Sequence, residues 1–105
     1  MKEQALVNQV LHYLTLKGYF VYRNNTGAVA LGSGRSQRFM RFGYKGSCDV
    51  IGVTPEGLFI GVECKIKPNK PTQFQLDFIE EINKRGGIGL VAYDLDDVVE
   101  YLDKR

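Results

Sequence analysis

The chain has 105 residues, 44% hydrophobic and 25% charged, which allows one compact domain over 1–105 and is too apolar for disorder. No apolar run approaches the ~18 residues of a membrane span, and Met1-Lys2-Glu3-Gln4 leads into a polar-apolar pattern without a signal-peptide core, so a cytoplasmic protein is expected. The net charge of +2 hides an asymmetry: between Gln4 and Cys48 there are six basic residues and no acidic one, whereas from Asp77 onward eight acidic residues face four basic ones. The basic half points to an anionic partner, or else to a solvated basic surface.

Residues 2–17 are predicted to form a helix, with Leu6, Val7, Val10, Leu11 and Leu14 at helical spacing and Gly18 as the stop. A strand follows over 19–23, then a turn at 24–27. Short strands are expected at 28–31 and 38–42, either side of a flexible Gly32-Ser33-Gly34 loop. Two strands, 48–53 and 58–65, flank Thr54-Pro55-Glu56-Gly57. A helix capped by Thr72 runs to about Arg85, a strand covers 88–93, and a final helix over 95–102 is capped by Asp94. The order α-β-β-β-β-α-β-α predicts an α/β domain with a single mixed sheet flanked by helices. Cys48 and Cys64 are too few for a disulfide framework and lack zinc-site spacing, so both are expected to be reduced and buried.

Pro55 and Gly57 suit a type I turn closed by a left-handed glycine. In that register Thr54 faces Leu58, Asp49 faces Glu63, and Cys48 faces Cys64 on the side that carries Val50. The other side carries Ile51, Val53 and Phe59, ending in Asp49, Glu63 and Lys65. Two opposed carboxylates repel one another unless something neutralises them. Lys65 offers one charge, and a divalent cation such as Mg²⁺ or Mn²⁺ offers two. The alternative is a structural Asp-Glu-Lys cluster at the solvated end of the sheet. Glu3 and Gln75 each extend the buried stripe of their helices toward that end, or are ordinary first-turn residues.

The set Glu3, Gly46-Ser47-Cys48-Asp49, Glu63-Cys64-Lys65 and Thr72-x-x-Gln75 resembles the PD-(D/E)xK nuclease superfamily, and most closely its virus-type replication-repair nuclease (VRR-NUC) domain. The resemblance spans Glu3 to about Tyr93. Cys48 stands where the superfamily often has proline, at a position whose side chain is not a ligand. The resemblance implies a restriction-endonuclease-like core acting as a DNA-repair-type hydrolase. The metal would be held by Asp49, Glu63, the Cys64 backbone carbonyl and Glu3, directly or through water. Lys65 would orient the attacking water and stabilise charge on the phosphate, and Gln75 would fix the lysine or the phosphate. An ordinary lysine ammonium, with a pKa of ~10.4, is a poor base near neutrality, so positioning is its expected role.

Arg35, Arg38, Arg41 and Lys45 interleave with Phe39, Phe42 and Tyr44, a pattern suited to phosphates and unpaired bases, with Lys67 a further candidate. At least one of the two phenylalanines is expected to be buried. Arg23, Asn24 and Asn25 either reach the site or are turn residues, and His12 is expected on a helix surface. The resemblance further implies a homodimer acting on branched or duplex DNA in a bacterial or virus-infected cell, with no nucleotide cofactor. The alternatives are a nucleic-acid-binding module that no longer cuts, and a restriction-type endonuclease reading a short sequence.

Overall fold

The computed structural model describes residues 1–25 and 27–105. Helix α1 (Glu3–Leu16) buries Leu6, Val7, Val10 and Leu14 of the predicted stripe, with Leu11 partly buried at its margin. It closes in a Schellman arrangement, with Tyr19 N–H donating to Leu14 O at 3.0 Å and Gly18 N–H to Thr15 O at 3.0 Å. Then come β1 (Phe20–Arg23), β2 (Gly27–Leu31), a short 3₁₀ turn over 34–36, β3 (Arg38–Phe42), β4 (Val50–Val53) and β5 (Phe59–Cys64). Helix α2 (Gln73–Lys84), β6 (Ile88–Ala92) and α3 (Leu95–Asp103) complete the chain. The caps are those predicted: Thr72 and Gln75 form a reciprocal capping box on α2, and Asp94 accepts from Asp97 N–H on α3. Of the predicted turn at 24–27, Thr26 lies outside the described residues.

The strands correct the expected order and the expected single sheet. All five strand segments expected before α2 form, one more than the order α-β-β-β-β-α-β-α counts, and they divide between two sheets. The main sheet runs β1-β4-β5-β6, with β1/β4 and β4/β5 antiparallel and β5/β6 parallel across the α2 crossover. Strands β2 and β3 pair only with each other, as a two-stranded ribbon inserted between the neighbours β1 and β4. Because β1 already occupies the free edge of β4, the ribbon does not pair beside β4. It projects from the body, and the radius of gyration of 15.1 Å exceeds the ~13 Å of a compact domain this long.

The β4–β5 register is the predicted one: Val53 faces Phe59 and Val50 faces Val62. Thr54 N–H donates to Leu58 O at 2.8 Å, Gly57 N–H donates to Thr54 O at 2.9 Å, and Gly57 has φ +89°. Helices cover both faces of the sheet. On one side α1 and α3 pack on Val50, Ile60, Val62, Ile88 and Leu90, and on the other α2 sets Ile79 and Ile82 against Ile51 and Val91. Among the described residues, no helix is long and apolar enough to cross a membrane.

Candidate active site

Strict alternation along β4 fails one residue before the strand begins. Asp49 sits in a bend, and Cys48 packs with Ile79 and Ile82 under α2 rather than opposite Cys64 on the Val50 side. The bend carries the Asp49 backbone off the ladder, and the side chain takes its place: Oδ2 accepts the Cys64 N–H at 2.9 Å. Asn24 holds the displaced segment. Its N–H donates to Asp49 O at 2.7 Å, and its Nδ2 donates to Ser47 Oγ at 2.6 Å and Cys48 O at 3.0 Å. Gly46 seats the same segment against the first turn of α2. It has φ +87°, and a Cβ there would lie 2.5 Å from Phe74 O, so only glycine fits.

Glu63, in β5, is 1% exposed. Its Oε2 accepts from Gln75 Nε2 at 2.9 Å and lies 3.6 Å from Lys65 Nζ. Its Oε1 is buried without a hydrogen-bond partner among the described residues. A buried, unsatisfied carboxylate oxygen costs at least 1–3 kcal/mol, so the pocket wants a proton or a cation at that atom. Burial, and then the neighbouring Asp49 carboxylate, raise the Glu63 pKa from 4.5 to about 8, against the lowering effect of Lys65. Half-buried Glu3, from the first turn of α1, adds a further weak push in the same direction and so faces this cluster.

Gln75 is a first-turn residue of α2 and also reaches the acidic cluster, at Glu63 rather than at Lys65. Its Oε1 accepts from Thr72 N–H at 2.9 Å to close the capping box, while its Nε2 reaches Glu63. Lys65 continues β5 past its last ladder residue, tied by its N–H to Ala92 O at 2.9 Å, with its side chain 14% exposed. Asp49, Glu63, Lys65 and Gln75 therefore meet at one end of the sheet with Glu3 nearby, and Cys64 lies within the same strand end. Among the described residues, no three His, Cys, Asp or Glu side chains form a ready-made metal cluster. The donors nonetheless fit a hard divalent cation: carboxylate oxygens, one of them an orphan, and no histidine. Both cysteines are free and buried, and burial pushes both thiols up, away from metal-binding thiolates.

Among the described residues, the ribbon arginines make no ion pair with this cluster. Arg35 lies in the turn at the ribbon tip and Arg38 and Arg41 lie on β3, all exposed. Lys45 sits 4.0 Å over the Phe74 ring, and Lys67 5.6 Å over Tyr93. The expected burial of Phe39 or Phe42 is wrong: they are 72% and 45% exposed, because the ribbon lies on no other element. His12 is exposed on α1, as expected. Asn24 is the residue whose part the sequence left undecided between site and turn; asparagine-rich turns are common, and nothing local marks one that reaches across to Asp49.

No family model matches the chain, and no curated protein matches it either.

Proposed function

We propose that this protein is a metal-dependent DNA endonuclease of the PD-(D/E)xK type, of the VRR-NUC kind, hydrolysing phosphodiester bonds as a homodimer on branched DNA. The observation that carries this reading is the orphaned Oε1 of Glu63, buried near Asp49 on a carboxylate whose other oxygen, Oε2, accepts from Gln75 and lies 3.6 Å from Lys65 Nζ. A purely structural Asp-Glu-Lys cluster would meet that oxygen with a fixed donor, whereas here a proton shared with Asp49 or a cation must satisfy it.

In this reading Asp49 and Glu63 hold Mg²⁺ or Mn²⁺, with Glu3 and the Cys64 carbonyl completing the shell. When bound, the ion supplies Lewis acidity at the phosphate and lowers the pKa of water. Gln75 keeps the Glu63 carboxylate oriented through Oε2, leaving Oε1 directed to the ion site. Lys65, anchored at the strand end, places its ammonium beside Glu63, where it can orient a water and stabilise charge on phosphoryl oxygens. Asn24 and Gly46 fix the bend that brings Asp49 to the cluster. The exposed arginines of the ribbon supply phosphate contacts away from the reacting atoms.

The test is incubation of the purified protein with branched, nicked and linear DNA, with and without Mn²⁺, beside Lys65→Ala and Asp49→Ala. Cleavage that needs Mn²⁺ and falls at least ~100-fold in both variants supports the reading. Equal cleavage by the variants, or salt-sensitive binding with no cleavage under any metal, refutes it.

A further inference from the structure

Helix α2 covers only half of its face of the main sheet. It packs on β5 and β6, reaches β4 at Ile51, and leaves β1 and the Val53 end of β4 open on that side. Phe20, Val53 and Phe59 are opposed across the three strands and therefore share that face. It is the α2 face, because Phe59 meets Phe78 of α2 edge-on at 6.5 Å and Ile51, two residues before Val53, packs in the α2 cluster. Phe20 is 74% exposed and Phe59 40%. The bare face runs on into a groove of about 750 Å³ along α2, where Phe59, Phe74, Phe78 and Tyr44 line the walls. Exposed aromatic surface on this scale marks a docking site.

The same chain carries an apolar element that lacks a place to pack. Register puts Leu31, Val29, Met40 and Phe42 of the β2–β3 ribbon on one face, with Arg38, and Phe39 and Arg41 on the other. An isolated two-stranded ribbon is marginally stable in water, so an ordered one needs a surface to lie on. Charge favours the match: the Val29–Met40 face of the ribbon carries Arg38 and no acid, whereas α2 holds Asp77, Glu80 and Glu81 against Lys84. Lys84 and Arg85 engage Glu81, and no cation lies within ion-pair distance of Asp77 or Glu80 among the described residues. Five residue pairs make a ribbon about 17 Å long. Two exchanged ribbons and their two receiving faces would remove on the order of 1,000 Å² from water, enough for a specific interface.

We infer that the β2–β3 ribbon is an exchange arm, laid by each of two copies of this chain over the open sheet face and α2 groove of the other. The arrangement is two-fold and closed, since each copy gives one arm and receives one. With the Val29–Met40 face seated, Arg41 and the tip residue Arg35 stay outward for an anionic ligand. This rests on the paired-subunit part of the proposed function and on none of its chemistry.

The experiment is sedimentation equilibrium of the full chain, without DNA or metal, for the wild type, Met40→Asp on the arm and Phe59→Asp on the receiving face. Phe20→Asp serves as a second receiving-face variant should Phe59→Asp lose its native circular dichroism. The wild type is expected at the mass of two chains and each variant at the mass of one. An equimolar mixture of arm and face variants should recover a two-chain species, because an intact arm then meets an intact face once per pair. Dimers in every variant would overturn the arm while leaving a paired enzyme standing. A mixture that stays monomeric would overturn arm-to-face docking in favour of arm-to-arm contact. A wild type of single-chain mass would remove the dimer altogether, with the cleavage reading judged separately by its own assay.

Discussion

Replacing Glu63 by glutamine should make the metal-free protein more stable at alkaline pH and blind to Mn²⁺. The folded carboxyl keeps its proton to about pH 8, while the unfolded chain releases it near 4.5. Between those values the folded state binds more protons than the unfolded one, so stability falls as pH rises. The contribution is fully present below pH 4.5 and is lost by the time pH has passed 8. At ~1.4 kcal/mol per pKa unit the loss is on the order of 3–5 kcal/mol, a large share of the roughly 5–15 kcal/mol that holds a domain together. An amide carries no charge to desolvate. Its oxygen can keep the bond from Gln75 Nε2, and its NH₂ can face Asp49 as the protonated acid does. The assay is urea unfolding of both proteins at pH 5 and pH 8.5, in chelator and then in Mn²⁺. The variant's advantage should widen by about 3 kcal/mol between the two pH values, and Mn²⁺ should close that gap by stabilising the wild type alone. Parallel pH profiles, or equal stabilisation of both proteins by Mn²⁺, would show that Glu63 is neither the strained acid nor a ligand.

Thr72→Ala and Gln75→Ala both break the α2 capping box and should each cost about 1 kcal/mol in thermal unfolding. Only Gln75→Ala should also lower cleavage, by about tenfold, since only Gln75 touches Glu63. Asn24→Ala removes the bonds to Ser47 and Cys48, and should lower stability by about 1–2 kcal/mol and weaken Mn²⁺ binding measured by calorimetry. Gly46→Ala places a Cβ 2.5 Å from Phe74 O at φ +87°, and should cost about 2 kcal/mol or more by urea unfolding. Arg35→Ala with Arg41→Ala should weaken DNA binding and flatten its dependence on log salt by about two units, read by fluorescence anisotropy over a salt series.

The parts of this molecule that were legible in sequence are those set by local chemistry. Pro55 and Gly57 specified the hairpin turn, and with it the Val50–Val62 register that aims Asp49 and Glu63 at one sheet end. Thr72, Asp94 and the α1 stripe marked their helices because caps and 3.6-residue spacing act within a turn or two. The misses all depend on distant partners. Cys48 was placed by alternation, which assumes a straight strand, and the bend at Asp49 turned it to the α2 side. One at least of Phe39 and Phe42 is expected inside because apolar residues usually are, yet among the described residues their ribbon has no surface beneath it. The second sheet escaped notice because nothing in 27–42 says that β1 will already hold the edge of β4. Asn24 belongs with these: its bonds run 23 and 24 residues along the chain.

The charge at the sheet end argues for what it is built to hold. Glu3, Asp49 and Glu63 bring three negative charges when ionised and Lys65 brings one positive, leaving minus two in a site where Glu63 is excluded from water. A proton on Glu63 removes one unit and leaves the other; burial first, and then the Asp49 charge, keep that proton in place to about pH 8. A divalent cation would remove both at once, satisfy Oε1 and release the proton, so its affinity should rise with pH up to that point. Soft metals have less to bind here, because the Cys64 side chain points into the opposite core with Val62 and Ala92, and the Cys48 thiol is packed beneath Ile79 and Ile82. What is left for an ion is oxygen, and that favours Mg²⁺ or Mn²⁺ over Zn²⁺.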